Sequence, residues 1–135
     1  MQSKFKLLIL MASALGALAV LLGAFGAHFL AEKLEPKSLN AFKTGVDYQF
    51  YHTLALFGTA LLYRTYRIKG LFYVGLYFAG GILLFSGSLY LLSLQHIMGI
   101  NLPKIVGLVT PLGGLALMGA WAAMFFTVIK IKTTD

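Results

Sequence analysis

Cysteine is absent from the chain, so disulfides, thiolate chemistry and lipoprotein acylation are excluded together. Charge is scarce too: Asp, Glu, Lys and Arg make up 11% of residues, about half the share usual in soluble domains. Acidic side chains are the rarest of these, 4 against 11 Lys and Arg. What fills the space is apolar, since 59% of the 135 residues are hydrophobic and the mean hydropathy is +0.85. A globule of this size has too little interior to hide that much apolar surface from water, so lipid is its natural solvent. One domain, residues 1–135, accommodates four spans and short loops. The net charge of +7 would suggest nucleic acid in a soluble chain. Here the cations sit at the ends of apolar runs, as orientation signals do, and no nucleic-acid partner is expected.

Residues 7–31, 70–103 and 105–129 carry no charged side chain. Each run is long enough to cross ~30 Å of hydrocarbon at ~1.5 Å per residue. The run 48–63 is shorter, roughly 24 Å, but without it basic loops would lie on both sides. The expectation is an all-α polytopic membrane protein with four transmembrane helices, over about 7–30, 46–63, 70–96 and 108–129. The first apolar run resembles a signal peptide, with Lys4 and Lys6 ahead of it and small residues near Ala27. Its core exceeds the ~7–15 residues of such signals, so it is expected to be retained as a helix.

Orientation follows from the cations near the helix ends. Lys4, Lys6, Arg64, Arg67, Lys69, Lys130 and Lys132 fall on one side. Lys33, Lys37, Lys43 and Lys104 fall on the other, diluted by Glu32, Glu35 and Asp47. The richer side is expected to be cytoplasmic, which places both termini inside. Thr44-Gly-Val-Asp47 reads as the capped start of the second helix, and Thr110-Pro111 as an N-cap followed by proline at the first helical position. Pro36 would open a short amphipathic helix on the outer surface, with Leu39, Phe42 and Val46 on one face. The chain shows no internal repeat and no low-complexity segment.

Helices in lipid associate through small residues that let backbones approach. Candidate packing positions are Gly16 and Gly23 on the first helix, Gly75 and Ala79 on the third, and Gly114 and Gly119 on the fourth. The polar residues gather in the outer half of the membrane when heights are counted from the cytoplasmic charges. His52 comes to about 18 Å, Asp47 and Ser86 to about 25 Å, Thr110 to about 30 Å and His28 to about 33 Å. Tyr48 and His52 share a face of the second helix, and Ser86 and Tyr90 share a face of the third. Ionisable groups within spans usually face the bundle or a water-filled cavity. The candidate pocket is therefore His28, Asp47, Tyr48, His52, Ser86, Tyr90 and Thr110, with Asp47 paired to His28 or His52 where it is buried. The bland alternatives are a helix-start carboxylate for Asp47, a headgroup-level ring for His28, and a hydrogen-bonded intramembrane ring for His52.

Other chemistries fit poorly. His28 and His52 differ in height by about 15 Å, too much for two ligands on one haem. Zinc needs three or four ligands, and only Asp47, His28, His52 and His96 are at hand. Ser86-Gly87-Ser88 is no nucleophile elbow, and there is no intramembrane carboxylate pair. Gly23-Ala-Phe-Gly26 lies in an apolar helix with no strand before it, so it does not cradle phosphate. Neither an enzymatic activity nor a cofactor is expected. Coupled transport usually places acids mid-membrane, whereas here only Asp47 stands at the edge of a span.

Five motifs follow one another in order: Gly23-Ala-Phe-Gly-Ala-His28, Thr44-Gly-Val-Asp-Tyr-Gln49 running into His52-Thr-Leu-Ala-Leu56, Phe85-Ser-Gly-Ser-Leu-Tyr90, Thr110-Pro-Leu-Gly-Gly114, and Gly119-Ala-Trp121. With them the chain resembles, from about residue 5 to residue 130, the small bacterial inner-membrane proteins of domain of unknown function family 423. The resemblance implies a four-helix membrane protein of similar size and carries no activity with it. The expected role is that of a non-enzymatic accessory or scaffold subunit in the bacterial inner membrane, packed against a larger complex or in a homo-oligomer. The alternative is binding or transport of a small solute, lipid or proton through the outer polar pocket.

Overall fold

The computed structural model describes residues 2–131; Lys132, counted above with the basic side, lies outside them. Four long helices follow one another: α1 Gln2–Phe25, α2 Pro36–Tyr66, α3 Lys69–Leu94 and α4 Val106–Val128. No strand occurs among the described residues. The last turn of the first helix, Gly26–Leu30, widens into a π-helix. Phe42 presses on it there: a Cβ on Gly26 would stand 3.0 Å from that ring.

Only Arg67 and Ile68 separate α2 from α3, so these helices run antiparallel as a hairpin. α1 lies along α2 and touches α3 more lightly, while α4 lies along α3. Leu8, Leu56, Leu71, Phe78, Ile82 and Leu117 form the apolar centre. On the outer faces large side chains such as Leu83, Leu112 and Phe125 are more than half exposed, as lipid-facing positions are. The stretches Gln2–Leu30, Lys69–Leu94 and Val106–Val128 are long and apolar enough to cross a membrane. α2 is not among them. Its polar side chains Gln49, His52, Thr53 and Thr59 are turned inward and buried, which lowers its mean apolarity without exposing those groups to lipid.

The structure corrects three expectations about helix ends. The surface helix expected between the first two spans does not exist as a separate element, because Pro36 opens α2 itself and the helix runs on unbroken. Phe42 explains this. It is fully buried, its ring 5.0 Å from that of Tyr90 on α3, so the early turns of α2 are docked on the bundle. Thr44 consequently is not an N-cap; inside the helix its hydroxyl donates to the Asn40 carbonyl at 3.0 Å, and Asp47 sits mid-helix rather than at a helix start. Thr110-Pro111 likewise lies inside α4, which begins at Val106. Pro111 has no amide to give the Gly107 carbonyl. That loss is confined to the exposed start of the helix, where close contact with α3 holds the turn in place.

Candidate functional site

The centre of the polar network is a residue that the search for ionisable groups passed over. Gln49 is 2% exposed, and its amide links three helices. Its Nε2 donates to the Leu15 carbonyl of α1 at 2.8 Å, while its Oε1 accepts the Tyr90 hydroxyl of α3 at 2.8 Å. The two bonds fix the orientation of the amide, since a carbonyl can only accept. Gly45, one turn before, makes the room for this. A Cβ there would come within 2.8 Å of the Tyr90 ring, so the ring fits only against a bare backbone.

One turn away stand two hydroxyls, Thr53 on α2 and Ser86 on α3, both buried and neither with a hydrogen-bond partner. Gln49 and Thr53 share a face of α2, as Ser86 and Tyr90 share a face of α3. In the antiparallel hairpin, four residues forward on α2 match four residues back on α3. Thr53 and Ser86 therefore occupy the same level, directly beyond the Gln49–Tyr90 bond.

A second polar link joins α3 to α4. The Ser88 hydroxyl donates to the Phe85 carbonyl at 2.9 Å, which leaves the Thr110 hydroxyl to donate to Ser88 Oγ at 2.7 Å. The backbones are close here. A Cβ on Gly113 would lie 2.4 Å from the Phe85 amide nitrogen, and only glycine permits that approach. Further along, the Thr59 hydroxyl donates to the Ala55 carbonyl at 2.7 Å and rests 3.8 Å from Met124 Sδ, where α2 meets α4.

His52 occupies a separate place. Its Nδ1 donates to the Tyr48 carbonyl at 2.7 Å, so the neutral ring keeps its lone pair on Nε2. Aromatic rings surround it, with centroids at 5.7 Å for Tyr48, 6.1 Å for Phe78 and 6.4 Å for Trp121. Tyr48 in turn stacks on Phe85 at 4.7 Å.

The seven pocket residues thus divide among several places. Tyr90 belongs to the Gln49 network, with Ser86 one turn beyond; Thr110 belongs to the α3–α4 link; Tyr48 and His52 belong to the aromatic cluster. His28 and Asp47 are both exposed, and neither makes a side-chain hydrogen bond among the described residues. No group of three His, Cys, Asp or Glu among those residues is placed to hold a metal ion.

The packing positions divide similarly. Gly75 is tight, a Cβ there lying 2.7 Å from a Leu8 methyl, and Ala79 is buried. Gly16, Gly23 and Gly114 stand at ordinary contact distances of 3.5, 3.4 and 3.7 Å from Thr53, Val46 and Phe85. Gly119 faces open space. The close approaches that sequence reading missed are at Gly45, Gly81 and Gly113. The signal for Gln49 and Gly45 was present: Phe42, Gly45, Gln49, His52, Leu56, Thr59 and Tyr63, all buried, recur at steps of three and four.

Comparison with known proteins agrees with the resemblance read from the motifs. The model of the family described as "Protein of unknown function (DUF423)" matches residues 22–114. An inner membrane protein of Escherichia coli, YgdD of family UPF0382, is 38% identical over 133 residues, covering 98% of this chain and 95% of its own. The UPF0382 membrane protein YwdK of Bacillus subtilis is 40% identical over 126 residues, 93% of this chain and 98% of its own. A UPF0382 membrane protein of Staphylococcus saprophyticus is 36% identical over 126 residues, 93% of this chain and 99% of its own. No solved structure matches the chain.

Proposed function

The chain belongs to the DUF423 family of bacterial membrane proteins, and from that premise and the packing of its helices we propose that it is a non-enzymatic accessory or scaffold subunit. Its location is the cytoplasmic membrane, where it is a multi-pass helical protein. In this reading all four helices span the bilayer with both termini inside. At ~1.5 Å per residue, the 31 residues of α2 reach about 46 Å. That is enough to cross hydrocarbon and both interfaces. Burial of Gln49, His52, Thr53 and Thr59 inside the bundle supports a span despite its low apolarity, and the cation count supports the direction.

The observation that carries the functional reading is where the buried polar groups end. Gln49, Tyr90, Ser88 and Thr110 bond to one another or to backbone, so their chemistry is used in holding helices together. Packing and interhelical hydrogen bonds are what stabilise a bundle in lipid. α4 is held along α3, leaving Leu112, Leu115, Met118 and Phe126 on exposed surface beside the open Gly119. A second subunit can approach closely there. The test is native mass spectrometry of the tagged protein extracted with its surrounding lipid. A reproducible protein partner or a homo-oligomer is expected; a monomer under every extraction condition refutes the role.

A second reading draws on His52, a buried imidazole whose Nε2 can accept from a small solute, lipid or proton donor entering from the outer side. It requires that His52→Ala abolish retention of such a ligand while assembly survives. Asp47→Asn would alter the response to pH in the same reading. Silence of both variants removes it.

A further inference from the structure

At the far end of the bundle from Gln49, the start of α1 and the end of α2 enclose a cleft of about 640 Å³. Its floor includes Phe5, Ile9 and Tyr63, and its rim carries Lys6, Arg64 and Arg67. We propose that this cleft binds an anionic phospholipid. The phosphate is held by the three cations, and an acyl chain lies on the apolar floor. The site depends on the protein's place in the membrane and not on the accessory role.

Three features converge. First, the charge is one-sided: the acidic residues among those described are Glu32 and Glu35, in the α1–α2 connection, and Asp47 far along α2. None can reach the cleft. The first turn of α1 has no acidic residue either, although a helix N-terminus disfavours cations such as Lys4 and Lys6. An anion from outside the chain resolves this. Second, the cations are arranged over apolar surface. The Arg64 guanidinium lies 5.1 Å from the centroid of the Phe5 ring, so its charge stands over the apolar floor. Basic clefts between membrane helices are a recognised form of phospholipid-headgroup site.

The third feature is Arg67. It ends α2 in the left-handed conformation, at φ 55° and ψ 25°, its amide donating to the Tyr63 carbonyl at 2.9 Å. Glycine is the residue that takes this conformation without strain. An arginine here is conformationally costly, and its side chain lines the cleft. The rule that cations gather on the cytoplasmic side accounts for the side on which they lie. It does not account for three of them meeting over one apolar groove, one on a strained backbone.

The experiment is native mass spectrometry of the full chain in a zwitterionic detergent, titrated separately with phosphatidylglycerol and with phosphatidylcholine of the same chains. Preferential retention of phosphatidylglycerol is expected. Lys6→Gln and Arg64→Gln should each weaken that retention about fivefold. Arg67→Gly is the discriminating variant. It should lose a similar factor of retention yet raise the melting temperature in lipid-free detergent, because the glycine relieves the left-handed strain. Equal retention of the two lipids overturns the proposal, as does unchanged phosphatidylglycerol retention in the Lys6→Gln/Arg64→Gln double variant. Displacement of the lipid by millimolar inorganic phosphate assigns the cleft to a free anion and overturns it too.

Discussion

Replacing Gly113 by alanine adds one methyl group at the point where α3 and α4 come closest. That methyl would stand 2.4 Å from the Phe85 nitrogen, 2.7 Å from its Cα and 2.8 Å from the Leu84 carbonyl carbon. All three are backbone atoms, so no side-chain rotation relieves the clash. An ordinary contact begins at 3.4 Å, so the helices must part locally by about 1 Å. The Thr110–Ser88 bond at 2.7 Å lies one turn away and would stretch beyond hydrogen-bond range. Overpacking of this kind costs about 1–3 kcal/mol, and the lost interhelical bond adds roughly 0.6–1 kcal/mol. The gain in helix propensity from Gly to Ala returns at most ~1 kcal/mol. A net loss of about 1–3 kcal/mol is expected. The assay is reversible unfolding in mixed micelles of increasing dodecyl sulfate content, with Gly87→Ala as the control. Because nothing lies within 4 Å of the Gly87 position, the control should be neutral or slightly stabilising. If Gly113→Ala unfolds at the same denaturant fraction as the parent, the close backbone contact is wrong. If Gly87→Ala is the damaging one, the face assigned to α3 is wrong.

Three further outcomes follow from the same structure. Gln49→Leu should cost about 1–3 kcal/mol by leaving the Tyr90 hydroxyl without its partner; adding Tyr90→Phe should recover part of the loss, and strictly additive effects in the double-mutant cycle would disprove the coupling. The absence of cysteine makes single-cysteine labelling in intact cells clean: Lys33→Cys should react with an impermeant maleimide and Lys69→Cys should be protected, and the reverse pattern would invert the orientation. Asp47→Asn should shift unfolding by no more than ~0.5 kcal/mol, since exposed substitutions away from special features rarely do more; a loss above ~2 kcal/mol would mean that the carboxylate is held by a partner.

α1, α3 and α4 were legible because long uncharged apolar runs mark them directly, whereas α2, with only the shorter run 48–63, was placed by the sidedness of the basic loops. Helix ends were less so. Thr44 and Pro111 carry strong local start signals, but docking of Phe42 on Tyr90 and the Ser88–Thr110 bond extend the helices past them. The polar network was half legible. Ser86, Thr110 and His52 were found by their depth and Tyr90 by sharing a face with Ser86, whereas Gln49 was missed because an uncharged amide raises no alarm about ionisation. Depth in the membrane also does not say which way a side chain points. Asp47 and Gln49 stand two residues apart on α2, yet one is exposed and the other buried. Gly113 and Gly114 differ in the same way: a rotation of about 100° separates a backbone contact from an ordinary one, and small residues on both sides of a helix conceal which stripe is used.

On the four-span reading, the inward-turned polarity of α2 governs how the protein is made. Gln49 finds its hydrogen-bond partners only on α1 and α3, so α2 has little reason to leave the translocation channel for lipid by itself. The two-residue turn at Arg67 and Ile68 couples α2 to α3, the more apolar helix emerging next from the ribosome. The expected consequence is that α2 enters the bilayer together with α3, as one hairpin. On that reading, lengthening the Arg67–Ile68 turn should impair insertion of α2 more than that of α3.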